Sequence, residues 1–244
     1  MNNGDFPVIE ARDVYKIYTM GKTQVNALEG INLKIKKGEF VSITGPSGSG
    51  KTTLLDVLSA LLRPTKGEVF INGKPISSMN DSMLAKIRGK TIGFVFQNFE
   101  LIPKLTALEN VMLPLWFQGI EIKKRKEIAK KILTEVGLAD RLHHRPYELS
   151  GGQRQRVSIA RSLAVDPDII VADEPTGNLD SKSGATILEL IDNLHKEKGK
   201  TILVVTHEQY VAERAQRIIH IKDGRIEIEQ IDHKTKQSIR RDYK

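Results

Sequence analysis

Gly45-Pro46-Ser47-Gly48-Ser49-Gly50-Lys51-Thr52 is the stretch that decides how the rest of the chain reads. It has the spacing G-x-x-x-x-G-K-[ST], follows an apolar run through Phe40, Val41 and Ile43, and opens a helical pattern. That pattern runs over residues 51–62, with Leu54, Leu55, Val57, Leu58, Leu61 and Leu62 on helical spacing, and closes at Arg63-Pro64. Glycines here let successive backbone N–H groups converge on phosphate oxygens, and the helix start adds the positive end of its dipole. Lys51 is placed to bring an ammonium to β- and γ-phosphates, and Thr52 to offer a hydroxyl to Mg2+. A plain glycine turn with an incidental lysine does not account for the strand before it and the helix after it.

The composition is compatible with such a core. The 244 residues suit one large α/β domain or two small ones, and 39% hydrophobic with 28% charged residues is an ordinary globular mixture. No apolar run approaches the ~18 to 20 residues of a bilayer span, and the start MNNGDFPVIE lacks a secretory pattern, so a soluble, cytoplasmic chain is expected. Without Cys there is no disulfide framework, thiolate zinc site or Cys nucleophile. The net charge of +8 is local: residues 121–161 hold eleven Lys and Arg against five acids, and the remainder is close to neutral. No basic stripe runs the length of the chain to favour nucleic acid.

Outward from the loop, Ile31, Leu33 and Ile35 alternate with polar residues, and the first forty residues read as short strands and turns. A strand Glu68 to Ile71 with the turn Asn72-Gly73, a short helix Asp81 to Arg88 and a strand Thr91 to Gln97 follow. A helical insert over about 98–165 reads as its own lobe, with Thr106 and Glu109 at capping-box spacing and an apolar stripe Ile128, Ile132, Leu133, Val136. Strands return at Asp168 to Asp173 and Thr201 to Thr206, and Asp223-Gly224 marks a hairpin between Ile219, Ile221 and Ile226, Ile228. The charged tail 229–244 lacks apolar periodicity and is expected to be partly disordered.

Two further groups carry chemistry. The apolar run Ile169 to Ala172 delivers Asp173 and Glu174 at a strand end, expected beside the glycine loop in a parallel sheet. Adjacent carboxylates there divide the labour, Asp173 in a Mg2+ shell and Glu174 polarising the attacking water. Leu149-Ser150-Gly151-Gly152-Gln153 precedes an amphipathic helix through Val157, Ile159, Ala160, Leu163 and Ala164. Ser150 is a good N-cap, and two glycines leave the first N–H groups bare, which makes a second anion site with Arg154 and Arg156 nearby. The economical use of two phosphate-seeking helix ends in one chain is a C2 dimer in which each second site covers the partner's nucleotide.

Together the loop, LSGGQ at 149–153 and VADEPTGNLD at 171–180 resemble the nucleotide-binding domain of an ATP-binding cassette (ABC) transporter, over about residues 8–228. The resemblance implies an α/β P-loop NTPase core with a mostly parallel sheet, an N-terminal antiparallel β subdomain and an inserted helical subdomain, with ATP and Mg2+ as cofactors. It implies that Tyr18 stacks on adenine and that Gly45, Ser47, Gly48, Ser49, Gly50, Lys51, Thr52 and Thr53 hold the phosphates. Ser150, Gly151, Gly152, Gln153 and Asp180 would complete the nucleotide site across the dimer, and Thr52, Gln97 and Asp173 would serve the metal. Glu174, His207, Lys51 and Gln97 form the implied catalytic set. Tyr15 lies close enough in sequence to compete with Tyr18, and Glu208 stands where the family usually has Asp, another carboxylate.

The stretches 105–115 and 172–181 look most like the group serving lipoprotein release, macrolide or peptide export and antimicrobial-peptide resistance. Implied partners are a transmembrane permease on a separate chain and a second copy of this chain, with the protein peripheral to the inner face of the cell membrane and no nucleic acid. Phe99, Leu101, Ile102 and Leu105 read equally as a receiving surface for the permease and as core of the helical lobe. The basic stretch Lys123 to Lys131 reads as a solvated helix face or as a membrane-facing cluster. A mechanical regulator that moves a membrane partner without transport, and a soluble nucleic-acid-associated ABC ATPase, are the competing functions; the latter typically carries coiled-coil insertions or a second cassette that this chain lacks.

Overall fold

Two long strands dominate the N-terminal region of the computed structural model, which describes residues 7–21, 23–231 and 238–240. β1 (Pro7–Met20) pairs antiparallel with β2 (Thr23–Lys36) and with β4 (Lys66–Ile71), and β5 (Lys74–Pro75) completes a sheet of order β2-β1-β4-β5. The short strands expected from sequence are thus continuous. Register shifts such as that between Ala11 and Val14, where Asp13 has φ 48°, absorb the breaks in alternation. Ile9, Val14, Leu28, Ile31 and Ile35 of this sheet are fully buried.

β3 (Phe40–Thr44) runs between β8 (Thr201–Val205) and β9 (Arg217–Lys222), parallel to both. Parallel strands covered on both faces read as unbroken apolar runs, and Phe40, Val41 and Ile43 are buried, as is every residue of β8. β10 (Arg225–Ile231) and β11 (Ser238–Arg240) extend the order antiparallel beyond β9. The first residues of the expected tail therefore continue β10, while 232–237 and 241–244 lie outside the described residues.

α1 (Lys51–Leu58) is shorter than the 51–62 helix expected. Ala60 turns left-handed at φ 57°, with its N–H on Val57 O and the Leu61 N–H on Asp56 O, a Schellman end made without the glycine that would have announced it. The described residues up to Ala85 and from Thr201 onward form one compact unit, and Lys86–Lys200 form a second.

In the second unit, α2 (Asp81–Thr91), which enters from the first, runs directly into β6 (Ile92–Val95), parallel to β7 (Ile169–Asp173). The strand expected to reach Gln97 ends at Val95, so Gln97 stands in the turn beyond it. α3 (Ala107–Phe117), α4 (Ile122–Glu135) and α5 (Gly151–Leu163) pack around Val111, Leu115, Leu133 and Val157. α6 (Ser181–Lys196) follows β7, and the short α7 (Gln209–Ala212) belongs to the first unit. This second unit is wider than the lobe expected at 98–165, because β6, β7 and α6 are part of it. Thr106 caps α3 with the full reciprocal box to Glu109.

One buried amide organises the approach to α3. Fully buried Asn110 donates to the carbonyls of Ile102, Leu105 and Thr106 and accepts from Ile102 N at 2.8 Å. An apolar replacement leaves those backbone groups unsatisfied, at about 1–3 kcal/mol. Asn110→Leu is expected to lower the thermal midpoint by roughly 3–10 °C at this chain length. An unchanged melt would show that the loop does not depend on the amide.

Candidate functional site

The glycine loop is shaped by what presses on it. Gly45 has φ 146°, and a Cβ there would lie 2.1 Å from Ile221 O; Gly50, at φ 100°, would place one 2.4 Å from Ala27 O. Gly48 is also left-handed, at φ 78°, but opens to free space. The β9–β10 turn braces the loop from behind, because Gly224 N donates to Ser49 O at 3.0 Å. Asp223 and Gly224 both have positive φ, as the sequence signal for a two-residue hairpin turn requires. That this turn supports the loop was not legible in the sequence.

Lys51 is only 9% exposed, and its ammonium donates to Gly45 O at 2.9 Å and Pro46 O at 2.8 Å. Both partners are backbone carbonyls, and neither neutralises a buried charge. Gly50 caps α1 without a side chain, and the first turn holds no acid. Ser49 Oγ is buried with no hydrogen-bond partner among the described residues. A cationic, glycine-lined helix start with a spare hydroxyl fits a phosphate chain. Ser47 and Thr52 are exposed and Thr53 is half-buried. His207, exposed just after β8, lines a pocket of about 580 Å3 together with Gly45, Thr44 and His220, whose Nδ1 is 3.2 Å from Thr44 Oγ1. Tyr18 is 37% exposed with Lys16 Nζ 5.4 Å from its ring centroid, whereas the half-buried Tyr15 directs its hydroxyl toward Gly30.

The second unit assembles a separate cluster. Asp173 ends β7, and Glu174, which follows it, has φ 43°, a left-handed backbone unusual for a side chain of this size. Gln97 Nε2 reaches Glu174 Oε2 at 3.4 Å. Asn178 donates to Gln97 O at 3.2 Å and to Asn98 Oδ1 at 2.9 Å, and the wholly buried Gln155 donates to Pro175 O at 2.8 Å. The turns after β6 and after β7 are thereby stitched together. Arg161 donates to Phe99 O at 2.9 Å and also to Glu100 O, holding two residues with φ 63° and 48°. Burial pulls this guanidinium below its ordinary pKa. Arg154 lies over the Phe99 ring at 5.1 Å. Leu101 packs on the helical core while Ile102 is 39% exposed, so that stretch is neither wholly core nor wholly surface.

Ser150 caps α5 as expected, accepting from Gln153 N at 3.3 Å, and Gln153 returns the bond to Ser150 N at 2.9 Å. Asp180, placed at a dimer interface by resemblance alone, caps α6 here. Its carboxylate takes the Ser183 N–H at 2.9 Å and the Ser183 hydroxyl at 2.7 Å, which hold its pKa below the ordinary value. Gly151 is half-buried and Gly152 buried; a Cβ on Gly152 would lie 2.8 Å from Ser183 Oγ, so α6 approaches the start of α5 where only glycine fits.

Two glycine-shaped helix starts, one carrying a buried lysine and the other opening LSGGQ, are the signature that the comparison with known proteins bears on. Residues 28–177 match the family described as ABC transporter. This chain belongs to that family. An uncharacterized ABC transporter ATP-binding protein of Thermotoga maritima is 56% identical over 220 residues, spanning 90% of this chain and 94% of that protein. The macrolide export ATP-binding/permease protein MacB of Hyphomonas neptunium is 47% identical over 90% of this chain, but the match spans 34% of MacB. Among solved structures, a dimeric post-hydrolysis state of the ATP-binding cassette MJ0796 bound to ADP and Pi superposes with a TM-score of 0.86 at 49% identity, covering 91% of this chain and 98% of that one. This ABC protein is therefore an ATP-binding, ATP-hydrolysing subunit of a transporter.

Within the ABC cassette, sequence reading missed Gln155, Arg161 and Gly177. Gly177 and Asn178 lie inside VADEPTGNLD, where residue type assigns chemistry to the carboxylates, and nothing in residue type marks Gln155 or Arg161. A Cβ on Gly177 would lie 2.8 Å from Gln97 Nε2 and 3.3 Å from Glu174 Oε2. Gly177→Ala is expected to displace the Gln97 amide, keep ATP affinity and lower kcat by about 10- to 100-fold, the scale of a misplacement near 1 Å. Calorimetric binding beside steady-state ATPase checks this; a wild-type kcat would contradict it.

Proposed function

We propose that two copies of this chain close head to tail on ATP, that hydrolysis reopens them, and that this cycle works a separate membrane permease for export or lipoprotein release. One observation carries the reading: a single chain holds two helix starts prepared for anions. At α1 Gly50 leaves the N–H groups bare beside Lys51, and at α5 Ser150 positions Gly151 and Gly152 with no acid in the first turn. An isologous dimer gives each nucleotide one start of each kind. The MJ0796 cassette, dimeric with ADP and Pi bound, supports a dimer as the working form.

In this reading Lys51 and the loop N–H groups hold the β- and γ-phosphates, and Tyr18 carries the base. Ser150, Gly151, Gly152 and Gln153 of the other copy stabilise charge that spreads over the γ-phosphoryl oxygens in the transition state. Glu174 orients and polarises the attacking water, Gln97 keeps that carboxylate in place, and His207 meets the γ-phosphate. Asp180 fixes the start of α6 against Gly152, so its place in the dimer is structural support for the second site. Thr52, Asp173 and Gln97 offer hydroxyl, carboxylate and amide oxygens, a hard donor set suited to Mg2+, which when bound neutralises phosphate charge. MacB joins ATP-binding and permease in its name, and in this reading the present chain takes the ATP-binding share. No helix among the described residues is long and apolar enough to cross a membrane. The chain would sit peripherally on the inner face of the cell membrane, held there by the permease.

Glu174→Gln is expected to bind ATP and accumulate as a dimer in light scattering with excess nucleotide; a strict monomer at high protein concentration would overturn the closure mechanism. Ser150→Arg places a long cation where the partner's nucleotide enters. It should abolish turnover, a loss of about 10²-fold or more, while ATP binding to the single chain persists; unchanged turnover would remove the second helix start from the reaction.

A further inference from the structure

The turn between α3 and α4 carries side chains that neither the core nor the nucleotide site uses. α3 gives Ala107, Asn110, Val111 and Leu115 to the buried side, yet ends on Trp116 and Phe117, exposed by 59% and 77%. Their rings stack at 5.7 Å between centroids, which presents one aromatic plate rather than two scattered residues. Ile122, 51% exposed at the start of α4, lies just across the turn. The turn itself is open, since a Cβ on Gly119, at φ 72°, would meet nothing within 4 Å.

Directly after this apolar tip comes dense positive charge. Lys123, Lys126 and Lys130 recur at spacings that place them along one flank of α4, and Lys124 and Lys131 lie one heptad apart. All five are exposed, and no ion pair among the described residues engages them. Between residues 121 and 131 the acids are Glu121 and Glu127. The core side of α4 is served by Ala129 and Leu133, so these lysines are not needed for packing.

We propose that the α3–α4 turn contacts anionic phospholipid directly, with Trp116, Phe117 and Ile122 entering the headgroup boundary and the α4 lysines lying over it. Trp favours that boundary because its ring is amphipathic, and stable attachment takes an apolar element together with a polybasic one. Both are present within 16 residues of chain, from Trp116 to Lys131. A protruding turn flanked by five cations suits a broad anionic surface better than a groove-binding peptide, which would need a concave receiver and one or two matched acids. The inference adds a lipid contact to the membrane-side reading above, but it needs no permease, so protein-free vesicles test it alone.

Trp116 is the single tryptophan of the chain, which makes its emission a local probe. The full-length protein is titrated with phosphatidylglycerol/phosphatidylcholine vesicles, with phosphatidylcholine vesicles, and with anionic vesicles carrying brominated acyl chains. A blue shift and bromine quenching restricted to the anionic vesicles, and lost at high salt, are expected. Lys123→Glu/Lys124→Glu/Lys126→Glu should weaken vesicle binding by about tenfold or more, and Phe117→Ser should weaken it with the charge intact. ATPase turnover of both variants in solution should match wild type, which confirms the fold. Unshifted emission with anionic vesicles, an equal response from the charge-reversed protein, or a shift seen only when a membrane protein is present in the vesicles would each overturn the lipid contact. Loss of ATPase in the unaltered protein would instead count against the transporter reading and leave the lipid result standing.

Discussion

The rest of the first unit depends on a backbone held so tightly that only glycine fits, around an ammonium that donates to backbone carbonyls. Ile221 O presses on Gly45 and Ala27 O on Gly50, and the two carbonyls of Gly45 and Pro46 take the Lys51 ammonium. Carbonyl oxygens do not neutralise a buried cation, whereas a phosphate would. The strain is therefore tied to function: a loop built this way is stable in its shape and receptive to phosphate. β2 and the β9–β10 hairpin, distant in sequence, are the walls that keep it so.

The second unit answers a different constraint, that two turns from separate strands are tied to one another. Gln97 and Glu174 are joined by a long hydrogen bond, and Asn178, Gln155 and Arg161 tie the surrounding backbone by shorter ones. Arg161 and Gln155 both come from α5, the helix that Ser150 starts. The stretch after Gln97 is thus tied by hydrogen bonds to the helix that Ser150 starts.

Most of the fold class was legible because its signals are local: an apolar run into glycines, capping boxes at Thr106 and Ser150, and Asp223-Gly224 in a hairpin. What escaped was decided by tertiary contact. α1 stops at Leu58 because Ala60 accepts a left-handed turn that residue type does not announce. β1 and β2 are long because bulges carry the pairing across breaks in alternation. In the site, the residues with chemistry could be named from type and order, whereas Gly177, Gln155 and Arg161 work by filling space or bonding backbone, and their meaning exists only once the neighbour is known. Asp180 shows the reverse case, a motif residue whose visible work is to cap α6.

In the proposed dimer each ATP is completed by the P-loop of one chain and the LSGGQ segment of the other. Mixing a Lys51→Ala chain with a Ser150→Arg chain tests this most directly, because neither homodimer has a whole site and the mixed head-to-tail dimer has one. ATPase activity that appears only in the mixture, and rises with its concentration, is the predicted result. A mixture no more active than its two components, with both chains folded and able to associate with wild type, would rule out a site shared between chains.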